Sequence, residues 1–143
     1  MSPVNEEQEE ALNRLSKIVN SLLARNDCAP FREPVDWRGL ELYDYPQIIT
    51  KMMDLGTIKR KLERNQYNTA HQCALDVKLV WQNCMKYNAD GSDFWLLAKS
   101  YARRFEDRYR KLRQESKFEL CYFFAFFVFD RGRIASMCVC VCV

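Results

Sequence analysis

Glycine and proline are scarce in this sequence, with four of each among 143 residues. Strand-and-turn proteins need many such turn-forming residues, so their scarcity argues against an all-β architecture. The net charge of +3 is too small to demand a nucleic-acid partner. The polar, acidic start around Glu6 and Glu7 predicts no signal peptide. With 48% apolar and 29% charged residues, the chain is expected to fold as one domain with a real core.

Paired cysteines and histidine clusters are missing from the body of the chain. Cys28, Cys73 and Cys84 form no C-x-x-C pair, and His71 is the single histidine. This pattern predicts neither a metal site nor a disulfide framework, and it is typical of a reduced, intracellular protein. We also find no nucleophile–base set and no phosphate-binding loop, so no enzyme activity and no cofactor are predicted.

Four segments have the apolar spacing of amphipathic helices. Their predicted boundaries are 5–26, about 55–64, 69–87 and about 93–114. Asn5 is expected to cap the first helix and Asp54 the second. Thr69-Ala70-His71-Gln72 has the capping-box pattern at the start of the third helix, and Ser92 or Asp93 is expected to cap the fourth.

The segment from 28 to 53 breaks this helical periodicity. Its helix-breaking residues are Pro30, Pro34, Gly39 and Pro46. Only 46–51 is predicted to form a short helical turn. The segment is nevertheless rich in apolar residues, and a loop of this length inside a compact domain is usually functional. Four helices joined by one long loop predict an all-α antiparallel four-helix bundle, with the long loop and the turn at Asn88 at the same end.

Asn88 directly follows the predicted third helix and opens a run of turn-forming residues that ends at Gly91. Its side chain offers two N–H donors and one carbonyl acceptor to whatever the helices enclose. The alternative is that Asn88 only caps the helix in the left-handed conformation, as asparagine often does. Local sequence by itself favours this cap.

Taken together, the motifs within residues 10–113 resemble a bromodomain. In chain order they are Pro30-Phe31-Arg32-Glu33-Pro34-Val35-Asp36, Leu40, Leu42, Asp44-Tyr45, Ile48-Ile49, Met53-Asp54-Leu55-Gly56-Thr57-Ile58, Tyr67, Asp76-Val77, Asn83-Cys84 and Tyr87-Asn88. No single motif is diagnostic, whereas their joint order and spacing are specific. The resemblance implies a left-handed four-helix bundle that binds acetyl-lysine, most often on histone tails.

The resemblance also implies roles for particular residues. By position, Asn88 would donate to the acetyl carbonyl, and Tyr45 would reach the same oxygen through an ordered water. The implied pocket walls are Pro30, Phe31, Val35, Leu40, Leu42 and Tyr87. Phe94 occupies the gatekeeper place at the start of the last helix, with a plain core position as the alternative.

Three residues depart from the family pattern. Ala29 replaces the tryptophan that many bromodomains have before Pro-Phe, and we expect the loss of this aromatic shelf to affect affinity and peptide preference. Trp37 is a candidate to cover part of that surface. Met52 replaces a common proline, which should loosen the approach to the second helix. Cys73 replaces a common phenylalanine and is expected to be a smaller core residue.

The implied function is a nuclear, monomeric module that binds acetylated histone tail peptides, without membrane association. One alternative is a degenerate bromodomain that serves as a protein-interaction scaffold. Another is a basic module whose last helix contacts DNA, and a weak nucleosomal DNA contact is also compatible with the reader. The cations of that helix face are Arg103, Arg104, Arg108, Arg110 and Lys111.

Residues 118–143 lack the amphipathic pattern of the domain predicted at 1–117. The apolar run at 120–129 is about ten residues long, too short for a bilayer that needs roughly 20. The closing Cys-Val alternation is what a TG dinucleotide repeat encodes. Our hypothesis is that this segment is translated non-coding sequence, with a membrane-surface or partner-binding tail as the alternative.

Overall fold

The structure, a computed structural model, describes the backbone of residues 3–129 and the side chains of residues 6–115. Its elements are α1 (Pro3–Leu23), a 3-10 turn (Asn26–Cys28), α2 (Ala29–Arg32), α3 (Tyr45–Ile48), α4 (Leu55–Glu63), α5 (Ala70–Tyr87) and α6 (Asp93–Phe129). The predicted all-α architecture, with a long loop between its first two long helices, is confirmed. Within the described residues, no helix has both the length and the hydropathy to span a membrane.

The chain divides into two units, one up to Arg110 and one that begins at Lys111. The predicted tail at 118–143 falls in the second unit, and of this tail only the backbone as far as Phe129 is described. The remainder of that tail lies outside the described residues. The domain boundary at 117 and the origin of the tail therefore stay predictions.

The first helix differs from its prediction at both ends. It begins at Pro3, so Asn5 lies inside the helix and is not its cap. Proline fits the first turn because its missing N–H would have no helical partner there. The helix ends at Leu23, three residues early, where Arg32 donates from Nε to the Leu23 carbonyl (3.2 Å) and from Nη2 to the Arg25 carbonyl (2.7 Å). Such carbonyls have no partner within the helix itself.

The caps of the second and third helices are largely as predicted. The Asp54 carboxylate accepts the Thr57 N–H at 2.7 Å, and the Thr69 hydroxyl accepts the Gln72 N–H at 3.2 Å. The return bond of the capping box is displaced by one residue, since the Gln72 carboxamide accepts from the Asn68 N–H (3.0 Å). Each cap satisfies a donor that the first helical turn leaves unpaired.

The last helix begins as predicted but continues further. The Ser92 hydroxyl accepts the Trp95 N–H at 3.4 Å, so Ser92 is the cap and Asp93 the first helical residue. The predicted end near Gln114 is wrong, because α6 continues to Phe129. No proline or glycine interrupts this stretch, so no backbone feature ends the helix earlier.

The core of the first unit consists of the inward faces of the long helices. Its fully buried residues include Leu15, Val19, Leu22, Leu55, Ile58, Cys73, Val77, Trp81, Tyr101 and Phe105. Burial of each large side chain is worth about 1.5–3 kcal/mol. The Trp81 ring centre lies 5.0 Å from that of Phe31 and 5.2 Å from that of Tyr101, so aromatic contacts join α2, α5 and α6. Cys73 is fully buried, which confirms a core residue, and this burial raises the pKa of its thiol to about 12.

Both ends of the long loop are fixed to helices. At its start, Gly56 of α4 lies against the Arg32 carbonyl, where a Cβ atom would come within 2.3 Å of that oxygen. At its end, Asn83 Nδ2 donates to the Lys51 carbonyl at 2.8 Å. The loop therefore takes its position from α4 and α5.

Asp76 is a buried carboxylate that collects donors from three segments. It accepts from Tyr67 Oη at 2.8 Å, from Lys51 Nζ at 3.3 Å and from Lys61 Nζ. Burial opposes its ionisation, but the hydrogen bonds from Lys61 and Tyr67 outweigh burial and hold the pKa of Asp76 below its usual value. The carboxylate thus links the loop, α4 and α5 as a charged, fully bonded group.

Candidate functional site

A cavity of about 410 Å³ opens between the long loop, α5 and the start of α6. It is lined by eighteen residues, and they include all nine that were predicted to form a pocket. Those nine are Pro30, Phe31, Val35, Leu40, Leu42, Tyr45, Tyr87, Asn88 and Phe94. Residues separated by up to 64 positions in sequence therefore meet at one site.

Aromatic packing fixes the inner wall of the cavity. Phe31 is only 4% exposed, and its ring meets Trp81 edge-on and Tyr101 at a tilt, with centroid distances of 5.0 and 5.4 Å. Edge-to-face pairs of this kind add about 0.5–1.5 kcal/mol beyond area burial. Phe31 is therefore a rigid apolar surface.

A pair of tyrosines forms a second wall. Tyr45 is buried and meets the Tyr87 ring nearly edge-on, with centroids 4.9 Å apart. The Tyr87 hydroxyl donates to Asp44 Oδ1 at 2.9 Å, which fixes the ring against the loop. Burial raises the pKa of Tyr45, so its phenol stays protonated and available as a donor.

Asn88 supplies the carboxamide of the cavity. Asn88 is the C-terminal cap of α5, but its backbone is extended, with φ −91° and ψ 147°, so the left-handed conformation predicted for this cap is wrong. Both its backbone N–H and its Nδ2 donate to the Cys84 carbonyl, at 3.0 and 2.9 Å. A carboxamide carries two N–H groups, and the bond to Cys84 uses one of them. The other N–H has only the weak contact with Cys84 Sγ, which lies 3.6 Å from Nδ2, and the carboxamide oxygen has no hydrogen-bond partner among the described residues.

Cys84 lies beside this carboxamide. Its Sγ atom is 3.6 Å from Asn88 Nδ2 and donates to the Phe94 carbonyl at 3.4 Å. Burial raises the pKa of the Cys84 thiol, so the group stays protonated. A protonated thiol is a poor nucleophile, and Cys84 acts here as a small apolar wall.

Two apolar residues mark the mouth of the cavity. Phe94 is 51% exposed and Leu40 is 63% exposed, although both line the cavity. The core alternative for Phe94 is therefore wrong. Ala29 also lines the cavity, whereas Trp37 is not among its lining residues in the described part of the chain. The Trp37 ring instead lies under the Arg38 guanidinium, at 4.2 Å.

Several lining residues were not predicted from the sequence. The α5 members are Val80, Asn83 and Cys84, and Met53, Asp54, Ala29, Glu33, Pro34 and Asp36 come from the loop and its ends. A signal for the α5 members exists, because residues 80, 83, 84, 87 and 88 follow the spacing of one helical face. For the loop members no periodic signal is available, since their placement depends on the folded loop.

The residues of the cavity are suited to binding. Its walls are largely apolar, and its polar groups are the carboxamides of Asn83 and Asn88, the phenols of Tyr45 and Tyr87, and three carboxylates. Within the described residues, no group of three or more His, Cys, Asp or Glu side chains is arranged to hold a metal ion. The site can hold a small neutral amide on an apolar stem.

The family model of the bromodomain matches residues 15–100 of this chain. The match covers more than half of the sequence and includes every residue that lines the cavity. The chain belongs to the bromodomain family, whose domains are acetyl-lysine-binding modules.

One curated relative is "Transcription factor GTE1" of Arabidopsis thaliana. The two sequences are 44% identical over 92 residues, which is 62% of this chain and 24% of the relative. This chain therefore matches about a quarter of the length of that protein. The similarity concerns the bromodomain segment, and the name of the relative points to a role in transcription.

Proposed function

We propose that this chain binds acetylated lysine in histone tails or in other nuclear proteins. The observation that carries the proposal is the meeting of the Asn88 carboxamide and the Tyr45 phenol in one apolar cavity of about 410 Å³. Its volume falls within the range of about 300–1,000 Å³ that is common for small-ligand sites. A nuclear location is proposed because the chain belongs to the bromodomain family and is similar to a protein named as a transcription factor.

Acetylation makes lysine fit such a cavity. It removes the ammonium charge and leaves a neutral amide at the end of an apolar stem. An unmodified ammonium would lose its hydration between Phe31, Val35 and Leu42, and burying an unpaired charge is costly. The apolar walls therefore select against unmodified lysine while they accept the stem of the acetylated form.

The acetyl oxygen is proposed to accept the second N–H of Asn88, and Tyr45 to reach the same oxygen through water. A hydrogen bond of this kind contributes on the order of 1 kcal/mol net, but an unpaired buried carbonyl costs about 1–3 kcal/mol. Asn88 is thus the residue on which discrimination depends most. Its bond to the Cys84 carbonyl supports this role, because it orients the carboxamide before a ligand arrives.

The test is calorimetry of the complete chain against acetylated and unmodified histone tail peptides. The sharpest variant is Asn88→Asp, which keeps the side-chain size but removes both N–H donors. Asn20→Asp, at an exposed position on α1, makes the same chemical change away from the cavity. We expect binding of acetylated peptides alone, its loss in Asn88→Asp and its retention in Asn20→Asp. Equal binding of unmodified peptides, or full binding by Asn88→Asp, would overturn the proposal.

The DNA-contacting alternative receives less support from the structure. On α6, Arg110 pairs with Asp107 at 2.7 Å, and Glu106 pairs with Lys78 at 2.7 Å. This face is therefore mixed in charge instead of uniformly basic. The carboxylates of Glu106 and Asp107 reduce the attraction of this face for a phosphate backbone.

A further inference from the structure

The charged residues of the cavity are all of one sign. Of the eighteen lining residues in the described part of the chain, three are acidic and none is lysine, arginine or histidine. Asp54 is buried, and its carboxylate caps α4 through Thr57. Glu33 and Asp36 are exposed on the long loop and also line the cavity.

Asp36 is held in place by a close backbone contact. Its Oδ1 atom accepts the Gly39 N–H at 3.0 Å. The other carboxylate oxygen lies where a Cβ atom on Gly39 would be only 2.2 Å away, so the contact depends on glycine. An exposed carboxylate normally samples several rotamers, but this bond restricts the Asp36 side chain.

Neighbouring cations do not neutralise this carboxylate. The Arg38 guanidinium stacks over Trp37, and Arg32 donates to the Leu23 and Arg25 carbonyls. Asp36 has no ion-pair partner within residues 6–115, whose side chains the structure describes. Glu33 differs, because Arg60 Nη1 lies 3.8 Å from its Oε2 atom. Asp36 is therefore the stronger source of uncompensated negative charge.

We infer that the loop carboxylates Asp36 and Glu33 select acetyl-lysine that has a lysine or arginine close to it, and that a phosphate in the same place opposes binding. The inference rests on the proposed acetyl-lysine function and specifies its ligand. An extended peptide advances roughly 3.3–3.6 Å per residue, so side chains within about three positions of the acetyl-lysine can reach the loop. Asp36 acts on specificity and does not contact the acetyl group.

The first experiment measures how the wild-type chain ranks three peptides. Each carries one acetyl-lysine, flanked on both sides by alanine, by arginine or by phosphoserine. We expect the arginine peptide to bind most tightly and the phosphoserine peptide least tightly. Each exposed charge pair should change the affinity by about two- to fivefold. Raising the ionic strength from about 50 mM to about 300 mM should narrow these differences, because exposed charges are screened.

The second experiment removes the charge while keeping the loop. Asp36→Asn retains an oxygen that can accept the Gly39 N–H. We expect its affinity for the arginine peptide to fall two- to fivefold relative to the alanine peptide, and its affinity for the phosphoserine peptide to rise relative to the alanine peptide. Glu33→Gln should show a smaller effect, because Arg60 already compensates that charge.

Glu7→Gln is the matched control, since it removes one exposed carboxylate near the other end of the bundle. Its neighbour Gln8 accepts the Ala70 N–H at the start of α5, whereas Asn88 follows the end of that helix, about 25 Å away. Flank preference should be unchanged in Glu7→Gln. An equal shift in this variant would show an effect of overall charge and overturn the assignment to Asp36.

The alanine peptide separates the two proposals. Binding of that peptide, lost in Asn88→Asp, supports the acetyl-lysine function independently of any flanking charge. If wild type then binds all three peptides equally, the charge inference alone is overturned. If Asn88→Asp binds the alanine peptide as well as wild type, the acetyl-lysine function itself is overturned.

Discussion

Individual side chains at this site act through neighbours that fix them. Tyr45 keeps its position through the edge-on contact with Tyr87, whose hydroxyl is in turn bound by Asp44. Asn88 is fixed by the Cys84 carbonyl. At this scale, ring packing and hydroxyl chemistry can be separated by replacing tyrosine with phenylalanine.

Tyr45→Phe keeps the ring and removes the hydroxyl proposed to hold a water on the acetyl oxygen. We expect about tenfold weaker binding of an acetylated peptide, equivalent to about 1.4 kcal/mol, with the free energy of unfolding nearly unchanged. Calorimetry and denaturant unfolding measure the two quantities.

Tyr43→Phe is the matched control for this prediction, because Tyr43 is 65% exposed and does not line the cavity within the described residues. It should bind like wild type. Unchanged affinity in Tyr45→Phe would show that its hydroxyl does not take part in ligand binding.

At the scale of elements, the long loop is shaped by two close contacts at glycines, one with a backbone oxygen and one with a side-chain carboxylate. One places Gly56 of α4 against the Arg32 carbonyl, and the other places Gly39 against Asp36. The short α2 links the first of these contacts to the site, since α2 carries Phe31 into the cavity and ends at Arg32. Packing of α4 against α2 thus positions part of the binding wall.

Gly56→Ala tests this packing, because two effects of the substitution have opposite signs. Helix propensity favours alanine by about 1 kcal/mol. The added Cβ would lie 2.3 Å from a backbone oxygen that cannot rotate away, and overpacking costs about 1–3 kcal/mol. We expect net destabilisation and weaker peptide binding, measured by urea unfolding and calorimetry. A more stable Gly56→Ala protein would contradict the close approach.

The sequence predicted elements better than their ends. Asp54 and Thr69 could be recognised as caps because their partners lie three residues away. The end of α1 could not be predicted, since it depends on Arg32, nine residues beyond Leu23. Local contacts are encoded in neighbouring residues, whereas this termination requires the folded loop.

The same distinction applies to the site. The grouping of Tyr87 and Asn88 was implied by the resemblance to the bromodomain family, and the structure places both at the cavity. The orientation of Asp36 did not follow, because it depends on the approach of Gly39 and on Arg38 turning toward Trp37. Motifs could identify the residues of the cavity but not the charge that the loop presents at its mouth.

For the whole molecule, ionised carboxylates connect elements that are distant in sequence. Asp27 accepts two hydrogen bonds from Arg25, both at 3.0 Å, and a third from Tyr101 of α6. The hydrogen bond from Arg25, followed by that from Tyr101, lowers the pKa of Asp27 to about 2. The native state is therefore linked to the ionised form of this group.

The sign of the resulting pH dependence follows from this shift. The pKa of Asp27 is lower in the folded than in the unfolded chain, so the unfolded chain binds more protons between about pH 4 and pH 2. The contribution of Asp27 to the free energy of unfolding is fully present above about pH 4 and is lost as the pH falls towards 2. Asp27→Asn should flatten the loss of stability over this range, measured by denaturant unfolding at several pH values. An identical acid profile would show that Asp27 is not linked to folding.

The two bonds from Asn88 to the Cys84 carbonyl have a consequence for the rate of recognition. The side chain is ordered when the protein folds, so under the proposed function an acetyl group would meet an Asn88 carboxamide whose orientation is already fixed. The conformational entropy of ordering Asn88 is then lost before binding and does not oppose it. Affinity differences among acetylated ligands should consequently lie in how long each stays bound, with association rates that vary little.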